Sequence, residues 1–426
     1  MPEYENSSVL NQVLLHPNSV VGADLTAWLA TWGGQGLRSA LAAPESIIDR
    51  VREAQLRGLG GSGFPTHIKW QAVANEAEGD KYLIGNGNED EPGTFKDRML
   101  LELSPHQVIE GALIAALATG INHVIFYINP HLQRAMTAMQ QAVAQWLESS
   151  LYPEVCRVVG RTVELQVMPS SGYYVGGEET AAIASVEGSF PFPRGKPPFP
   201  AQSGVHGKPT LINNIETLAN LSHLLRNGVA WFHSLGRGGN SGTKVYSLSG
   251  DVLNPGVYEL PMGITLNELI FSYGGGMLVG KKLKAVFTGG PSNTILTKND
   301  LDVSLDFDSV RQRHSSLGTG AMIVVSEGTG IVKRVAEYVR FFADASCGQC
   351  PPCKSGTYYL SMLLDKIDTG HGRRVDLDAI TNLCEMLPGS GRCHLIDGAV
   401  KVVDSSLYHF KSEYEQALRQ PRARVV

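Results

Sequence analysis

Four cysteines near the end of the chain constrain its fold more than any other feature of the sequence. Cys347, Cys350 and Cys353 are separated by two residues each, and Cys393 follows forty residues after the third. Two consecutive C-x-x-C steps bring three thiolates into one loop, and a fourth from a distant segment completes a four-thiolate site. Structural zinc sites usually pair two separate C-x-x-C knuckles, whereas a three-plus-one spacing is more typical of a [4Fe–4S] cluster. The spacing therefore favours an iron–sulfur cluster, with structural zinc as the alternative.

The two other cysteines do not change this interpretation. The chain has only six cysteines in 426 residues, and four of them are clustered. A framework of disulfide bonds is therefore not expected. Cys156 and Cys384 are most simply small buried apolar side chains. Cys384 lies close before Cys393 in the sequence and is the one residue that competes with it as the fourth ligand.

Charge and hydropathy exclude several functional classes. The net charge is -5, and Lys and Arg are not clustered, which argues against nucleic acid or an anionic membrane surface as the main partner. The most apolar region, residues 108–128, is interrupted by Glu110, Asn122 and His123, and it predicts a helix followed by a strand. The first residues lack the basic and apolar regions of a secretory signal. We expect a cytoplasmic protein without direct membrane insertion, or one at the cytoplasmic face of a membrane complex.

The first half of the chain alternates predicted helices and strands, as α/β proteins do. Residues 1–45 are mixed in character and carry no clear signal. After them the pattern predicts helices at 44–54, 105–119 and 131–147 and strands at 81–85, 123–128 and 163–167.

A glycine-rich loop follows the first predicted helix. Gly58, Gly60 and Gly63, with Gly61 between them, formally match G-x-G-x-x-G. A dinucleotide fingerprint should follow a strand, whereas this one follows a helix, so an ordinary Rossmann assignment fails. Such a loop still lets the backbone approach a phosphate or a ring closely.

Three polar loops come later. Residues 86–98 and 170–180 follow predicted strands, and ligands of open α/β sheets bind beyond the carboxyl ends of strands. Residues 207–217 predict a third polar turn, and the prolines of residues 194–200 hold that segment extended.

The remaining chain divides at a glycine-rich break at residues 236–242. Beyond it, predicted strands at 244–248, 256–259 and 285–288 surround a helix at 266–273 and indicate a compact α+β unit. From about residue 332 the chain is mostly helical, with helices predicted at 336–342, 357–367, 377–387 and 407–418.

Six stretches, taken in order, resemble the NADH-binding flavoprotein subunit of respiratory complex I and its relatives, the diaphorase (beta) subunits of NAD-dependent formate dehydrogenases and NAD-reducing hydrogenases. They are Gly58–Trp70, Gly85–Arg98, Gly177–Thr180, Lys196–Ala201, Lys208–Thr217 and Cys347–Gly356.

The resemblance implies an α/β chain that begins with a Rossmann-like FMN- and NAD(H)-binding domain. A ubiquitin-like β-grasp domain and a C-terminal helical bundle with one [4Fe–4S] cluster follow. The corresponding domain limits are an N-terminal extension at 1–45, the FMN- and NAD(H)-binding domain at 46–237, the β-grasp domain at 238–331 and the helical cluster domain at 332–426.

The resemblance also implies roles for individual residues. The flavin and its phosphate would be held by Gly58, Gly60, Gly61, Gly63 and Lys69. The isoalloxazine and ribityl groups would contact Asn86, Asn88, Glu89, Tyr174, Gly177, Glu178 and Glu179. Asn213 and Asn214 would line the phosphate side, and the nicotinamide nucleotide would contact Phe64, Glu91, Lys196 and Phe199. The cluster ligands would be Cys347, Cys350, Cys353 and Cys393.

The sequence departs from the family pattern at three positions. Asn88 stands where an Asp is common, which would remove a charge near the flavin and raise its reduction potential. Ala72 replaces a second aromatic residue, and Gly176 replaces a Cys.

The function implied is electron transfer between NAD(H) and an iron–sulfur chain through FMN and one cluster, with no catalytic acid or base. Unpaired carboxylates at Glu91, Glu178 and Glu179 would favour NAD(H) over NADP(H). Expected partners are a thioredoxin-like [2Fe–2S] subunit and a large catalytic or quinone-linked iron–sulfur subunit. The alternative is a non-redox, zinc-stabilised nucleotide-binding scaffold. The related ferredoxin-oxidising family does not fit, because the chain lacks a C-x₂-C-x₂-C-x₃-C-P run.

Overall fold

The computed structural model describes residues 13–419, and the α/β architecture predicted from the sequence is confirmed in it. A four-stranded sheet with helices on both faces comes first, a five-stranded sheet follows, and four helices end the chain. Residues 1–12 of the predicted N-terminal extension and residues 420–426 of the predicted cluster domain lie outside the described residues.

The strands of the described chain are β1 (Tyr82–Gly87), β2 (His123–Ile128), β3 (Glu164–Pro169), β4 (Thr210–Asn214), β5 (Thr243–Gly250), β6 (Gly256–Pro261), β7 (Leu283–Thr288), β8 (Ile295–Thr297) and β9 (Ala321–Ser326). The helices are α1 (Leu25–Ala30), α2 (Gln35–Ala42), α3 (Ile47–Glu53), α4 (Thr66–Ala74), α5 (Asp97–Leu103), α6 (Pro105–Thr119), α7 (Gln133–Glu148), α8 (Leu151–Val159), α9 (Glu179–Val186), α10 (Ile215–Asn227), α11 (Val229–Leu235), α12 (Phe307–Gln312), α13 (Ile331–Ala345), α14 (Pro351–Asp368), α15 (Arg374–Met386) and α16 (Leu395–Arg419).

The first sheet is parallel, with the strand order β3-β2-β1-β4. Side chains alternate between its faces, so Leu83 packs into the larger core with α6 and α10, while Ile84 packs into a smaller core with α9. The chain order reverses between β1 and β4. In open α/β sheets this reversal opens a crevice beyond the carboxyl ends of the strands.

The polar turn predicted at residues 207–217 is wrong in part. Thr210–Asn214 forms β4, which pairs with β1 from Tyr82↔Thr210 to Asn86↔Asn214. The two asparagines and the neighbouring Gly and Pro favour a turn locally, but burial of Leu211 and Ile212 against the sheet overrides that preference.

The segment before residue 46 contributes to the core of the first unit. Trp28 of α1 and Leu37 of α2 are buried in it. The carboxylate of Glu110 in α6 accepts hydrogen bonds from Trp28 Nε1 at 2.9 Å, from the amide of Gly34 at 2.9 Å and from the amide of Leu37 at 3.0 Å. This buried acid therefore ties both short helices to the sheet-covering helix α6.

The second sheet has the order β6-β5-β9-β7-β8, with β5 and β9 parallel and the other pairs antiparallel. Its helix, predicted at 266–273, is a π-helical segment, Glu268–Tyr273, which buries Leu269 and Ile270 against the sheet. The short helix α12 also packs on this core through Phe307 and Val310. A sheet of five mixed strands covered by short helical segments agrees with the β-grasp domain that the resemblance implies.

The helices α13 to α16 share one core, which includes Val335, Leu360, Ile380 and Val403. The helix α16 contains a kink at Phe410, where φ is -129° and ψ is 29°. Within residues 13–419, no helix combines the length and the apolar character needed to cross a membrane.

Candidate cofactor cleft and cysteine pocket

A cleft of about 540 Å³ opens beyond the carboxyl ends of β1 and β4, where the strand order reverses. This volume lies in the usual range for sites of small molecules and cofactors. Its lining is Gly60, Gly61, Ser62, Asn86, Asn88, Glu89, Asp90, Glu91, Thr94, Asp97, Tyr174, Val175, Gly177, Glu178, Asn214, Gly289, Ser292, Asn293, Ser316, Gly318, Thr319, Cys393, His394, Leu395, Gly398 and Lys401. Ten of the predicted cofactor-binding residues thus meet in one place.

A larger groove of about 860 Å³ lies elsewhere, between the β8 region and the helices α15 and α16. None of the glycine-rich, acidic or cysteine motifs reaches it. The smaller cleft is the better candidate site because the chemistry-bearing residues converge there.

The glycine loop forms one wall of the cleft, and two of its glycines are required by geometry. A Cβ at Gly60 would lie 2.8 Å from Cβ of Asn214, and Gly63 has a φ of +62° with the ring of Phe307 only 2.4 Å from the position of a Cβ. The loop is therefore held between β4 and the β-grasp domain. As predicted from its context, it follows a helix, α3, and precedes another, α4.

The N-terminus of α10 points its first turn toward the same wall. Asn214 is its N-cap, and its side chain accepts a hydrogen bond of 3.0 Å from the amide of Glu216. A helix N-terminus beside a glycine loop favours an anionic group such as a phosphate. This arrangement suits the FMN phosphate implied by the resemblance.

The loop after β1 supplies acids of two kinds. Glu89 is buried, and its oxygens accept the amides of Asp97 at 2.7 Å and Arg98 at 3.1 Å, so it orders the start of α5. Asp90 Oδ2 and Glu91 Oε1 are buried without a hydrogen-bond partner in the described residues. Unpaired buried acceptors are costly, so a ligand with hydroxyl or ring N–H donors fits here, and the ribityl and isoalloxazine groups of FMN provide both.

Glu91 is a titratable group within the wall of the cleft. Burial raises its pKa from 4.5 to about 7, although the hydroxyl of Tyr174, which donates a hydrogen bond to Oε2 at 2.6 Å, opposes that shift. Burial, and then the charge of Glu91, raises the pKa of Tyr174. The tyrosine therefore remains a donor, and Glu91 changes its charge near neutral pH.

The edge of the cleft carries a network of alternating charges. Lys69 Nζ lies 2.8 Å from Glu179 Oε2, and Lys196 contacts Glu179 and lies 3.2 Å from Oε1 of Glu178. Burial alone would raise the pKa of Glu179, but the two lysines outweigh it and hold that pKa below its ordinary value. The expectation that Glu178 and Glu179 are unpaired was wrong, because the tertiary fold brings a lysine from each of two other segments against them.

The other predicted residues lie outside the lining of the cleft. Phe64 and Phe199 are 43% and 53% exposed, so both rings are accessible to a ligand. Asn213 Oδ1 accepts a hydrogen bond of 2.9 Å from Trp70 Nε1 and so has a packing role in this structure. Gly58 closes the glycine loop through its amide, which donates to the carbonyl of Phe64 at 2.8 Å.

The four predicted cluster ligands line one small pocket together, beside Ser346, Gln349, Gly391, Arg392, Leu395, Val175 and Pro193. Cys350 is the N-cap of α14, and Pro351 and Pro352 begin that helix, which places Cys353 in its first turn. A helix N-terminus stabilises a thiolate. Cys393 comes from the loop before α16. Cys384 lies on α15 and does not line the pocket.

The chemistry of this pocket fits the implied cluster. Burial raises the pKa of the Cys353 thiol and raises that of Cys393 to about 11. Thiolates in such a place require a bound cation, which displaces the protons on binding. Among residues 13–419, no three or more Cys, His, Asp or Glu side chains are grouped to hold one metal ion. Cys347, Cys350, Cys353 and Cys393 would each supply one thiolate to a [4Fe–4S] cluster bound in this pocket.

The cleft and the cysteine pocket share a wall. Val175, Cys393 and Leu395 line both cavities. A cofactor in the cleft and a cluster in the pocket would therefore be neighbours, separated by one layer of side chains.

Part of the cleft comes from outside the first unit and was not predicted from the sequence. The loops Gly289–Asn293 and Ser316–Thr319 follow β7 and precede β9, and His394, Leu395, Gly398 and Lys401 belong to the α16 region. The glycines at 289, 290, 318 and 320, each with positive φ, were the available signal, because glycine-rich turns at strand ends permit close approach to a ligand.

Three family models match the chain in the same order as these units. They are the Nuo51 FMN-binding domain at residues 51–223, the SLBB domain at 244–325 and the NADH-ubiquinone oxidoreductase-F iron-sulfur binding region at 333–417.

Similar proteins match over almost the whole chain. The NADH-quinone oxidoreductase F 2 subunit of Rhizobium meliloti (strain 1021) is 40% identical over 93% of this chain and 95% of its own length. The HndC subunit of the NADP-reducing hydrogenase of Solidesulfovibrio fructosivorans is 40% identical over 91% of this chain and 79% of its own length. A solved chain of an NAD⁺-reducing [NiFe]-hydrogenase in the H₂-reduced state superposes with a TM-score of 0.84 at 33% identity, covering 97% of this chain and 68% of that one.

Proposed function

This chain belongs to the family of the NADH-quinone oxidoreductase F subunits and the related hydrogenase subunits, and from that premise we propose that its cleft holds FMN and its cysteine pocket the [4Fe–4S] cluster. The chain is an NAD(H)-linked electron-transfer subunit with an FMN-binding domain and a [4Fe–4S] region. FMN is the cofactor that exchanges two electrons with NADH as a hydride and exchanges electrons singly with a cluster.

One observation carries the proposal. Val175, Cys393 and Leu395 form a wall common to both cavities, so a flavin in the cleft and a cluster in the pocket would be separated by this wall alone. Cys393, a proposed cluster ligand, belongs to the wall, which supports direct transfer between the two cofactors.

The residues of the cleft divide the task of binding. The glycine loop and the N-terminus of α10, with Asn214, would hold the phosphate. Asn86, Asn88 and Asp90 would accept or donate hydrogen bonds along the ribityl chain and ring. The nicotinamide nucleotide would contact Phe64, Glu91, Lys196 and Phe199, as the resemblance implies. Each of these groups positions a ligand, and none of them acts as a general acid or base toward the hydride.

The domain limits proposed are 46–237 for the FMN- and NAD(H)-binding domain, 238–331 for the β-grasp domain and 332–426 for the cluster domain. The buried contacts of α1 and α2 support extending the first domain toward the N-terminus to include them.

Electrons must leave or arrive through other subunits. The similar proteins are subunits of an NADH-quinone oxidoreductase and of hydrogenases. The partners we infer are a thioredoxin-like [2Fe–2S] subunit and a large catalytic or quinone-linked iron–sulfur subunit, in a cytoplasmic complex of the hydrogenase, formate dehydrogenase or complex I type. The alternative of a zinc-stabilised scaffold without redox chemistry is not favoured, because the cysteine region matches an iron-sulfur binding region.

An anaerobic titration of the purified chain with NADH tests the proposal. Flavin and cluster absorbance should both bleach, and the chain should reduce ferricyanide with NADH but show no turnover with a natural acceptor unless partner subunits are added. A protein that contains zinc and no iron, or whose flavin is reduced while the cluster stays oxidised, would contradict it.

A further inference from the structure

Four charged side chains form a buried cluster behind the wall of the cleft. Lys96 Nζ lies 2.7 Å from Asp97 Oδ1 and 2.8 Å from Glu216 Oε2, and Lys244 Nζ lies 3.1 Å from the same oxygen of Glu216. Side-chain exposure is zero for both lysines and for Glu216. The cluster is electrically neutral, with two cations and two anions, and three of its members belong to the first unit, whereas Lys244 comes from β5 of the β-grasp domain.

Lys244 reaches the glycine loop directly. Its ammonium donates a hydrogen bond of 3.2 Å to the carbonyl of Leu59, the residue before Gly60. The amide of Leu59 in turn donates to Thr217 Oγ1 at 2.9 Å. The backbone that precedes the close-approach glycine is thus held from both sides, once by α10 and once by the second domain.

The cluster reaches the opposite part of the same wall through Asp97. Oδ2 of Asp97 accepts a hydrogen bond of 2.7 Å from Asn214 Nδ2, and Lys96 donates to Asn214 Oδ1 at 3.3 Å. Asp97 and Asn214 both line the cleft. The orientation of the Asn214 amide is therefore determined by its contacts with two members of the buried cluster.

The loop after Leu317 leaves room for this lysine. Gly320 has a φ of +87°, and a Cβ there would lie 2.7 Å from Cε of Lys244. The neighbouring residues Gly318 and Thr319 line the cleft. Lys244 therefore contacts the glycine loop on one side and packs beneath a cleft-lining loop of its own domain on the other.

We infer that Lys244 is a positioning residue for the flavin cleft, which it reaches through the Leu59 carbonyl and the Glu216 carboxylate. The inference rests on the proposed placement of FMN in this cleft. Buried ion pairs add little net stability, because desolvation of the charges offsets their attraction. A lysine from another domain, aimed at the loop beside the phosphate wall, is better explained by the geometry that it imposes on that loop.

The test uses the full chain with its iron–sulfur cluster and compares Lys244→Met with Lys284→Met. Lys284 is a lysine of the same sheet, 14% exposed and paired with Glu413 at 2.6 Å, and it lies outside the cleft. FMN affinity is measured by fluorescence quenching on flavin-free protein, and the midpoint potential of bound FMN by anaerobic spectroelectrochemistry.

Lys244→Met should weaken FMN binding by roughly tenfold or more, since one carboxylate of the buried cluster loses a partner. It should also lower the reduction potential of the flavin, because the three remaining charged side chains, Lys96, Asp97 and Glu216, then carry a net negative charge. Lys244→Met/Glu216→Gln restores neutrality, so its potential should return toward that of the wild type, while its FMN affinity stays below it. Lys284→Met should change neither quantity.

Equal affinity and potential in Lys244→Met and Lys284→Met would overturn the inference. Asn214→Ala separates this failure from a failure of the placement of FMN. If Asn214→Ala weakens FMN binding and Lys244→Met does not, only the role of Lys244 is wrong. If neither variant changes the affinity for FMN, FMN does not bind in this cleft, and the inference about Lys244 is wrong as well. If Lys244→Met does not fold, Lys244→Met/Glu216→Gln is compared with Lys284→Met instead. An FMN affinity of the double variant equal to that of the wild type would then overturn the inference.

Discussion

The hydroxyl of Tyr174 donates a hydrogen bond of 2.6 Å to Oε2 of Glu91, which joins the loop after β1 to the segment that follows β3. The ring of Tyr174 also lies 5.1 Å from that of Phe341 in α13. One side chain thus links the acidic wall of the cleft to the helices around the cysteine pocket, and it does so at a carboxylate with a pKa near neutrality.

Glu91→Gln should change how stability depends on pH. Burial raises the pKa of Glu91 from 4.5 to about 7, so the folded chain binds this proton more tightly than the unfolded chain. The resulting stabilisation is complete below the unfolded pKa and is lost as the pH rises through the folded pKa. As the pH rises from about 5 to about 8, the unfolding midpoint temperature of the wild type should therefore decrease relative to that of Glu91→Gln. The exposed residue Glu327 provides the control, since Glu327→Gln should track the wild type; a constant difference between wild type and Glu91→Gln would contradict the prediction.

Cys350→Ser should abolish the cluster and keep the flavin. Cys350 lines the cysteine pocket but not the cleft, whereas Cys384 lines neither. Iron analysis should show loss of iron in Cys350→Ser and full iron in Cys384→Ser, with FMN bound and reducible by NADH in both. Loss of iron in Cys384→Ser together with full iron in Cys393→Ser would mean that Cys384, and not Cys393, is the fourth ligand.

Glu179→Gln should relax the discrimination between NADH and NADPH. Glu179 contacts both Lys69 and Lys196, and with Glu178 it balances their two charges. Its loss leaves one net positive charge at the edge of the cleft where the nucleotide is proposed to bind. Partial exposure screens the effect, so we expect the ratio of kcat/KM for NADPH to that for NADH to rise by roughly fivefold, or about 1 kcal/mol. Steady-state kinetics measure the ratio, and Glu148→Gln on the exposed surface of α7 should leave it unchanged. A fall in the ratio would show that the lysines do not face the 2′-phosphate.

Glu110→Ala should destabilise the first domain strongly. Its carboxylate accepts hydrogen bonds from Trp28 Nε1 and from the amides of Gly34 and Leu37. Removal leaves three buried donors without a partner, which costs on the order of 3 kcal/mol or more. Denaturation in urea measures the change, and Glu110→Gln, which retains an acceptor, should lose less. Similar stability in Glu110→Ala and wild type would mean that α1 and α2 are not anchored through this acid.

The resemblance carried by the ordered motifs, together with the helix and strand patterns, was enough to predict the fold class and the order of the three units. The cysteine spacing predicted the cysteine pocket. Local patterns also predicted β1, β2, β3 and α6 closely, because each is a run with apolar residues bounded by polar or turn-forming residues. The strand β4 was missed, since Asn213 and Asn214 favour a turn and only pairing with β1 makes that segment extended.

The sequence by itself determined which chemistry the chain carries, because ligand types and glycine loops are local properties of short segments. Only the tertiary structure decided which charges meet. Glu179 is neutralised by Lys69, 110 positions away, and Glu216 by Lys244 of another domain. The tertiary structure also places Cys393 where it lines both cavities. Electrostatic pairing depends on distance in space, and no local period in the sequence encodes the distance between segments that the fold brings together.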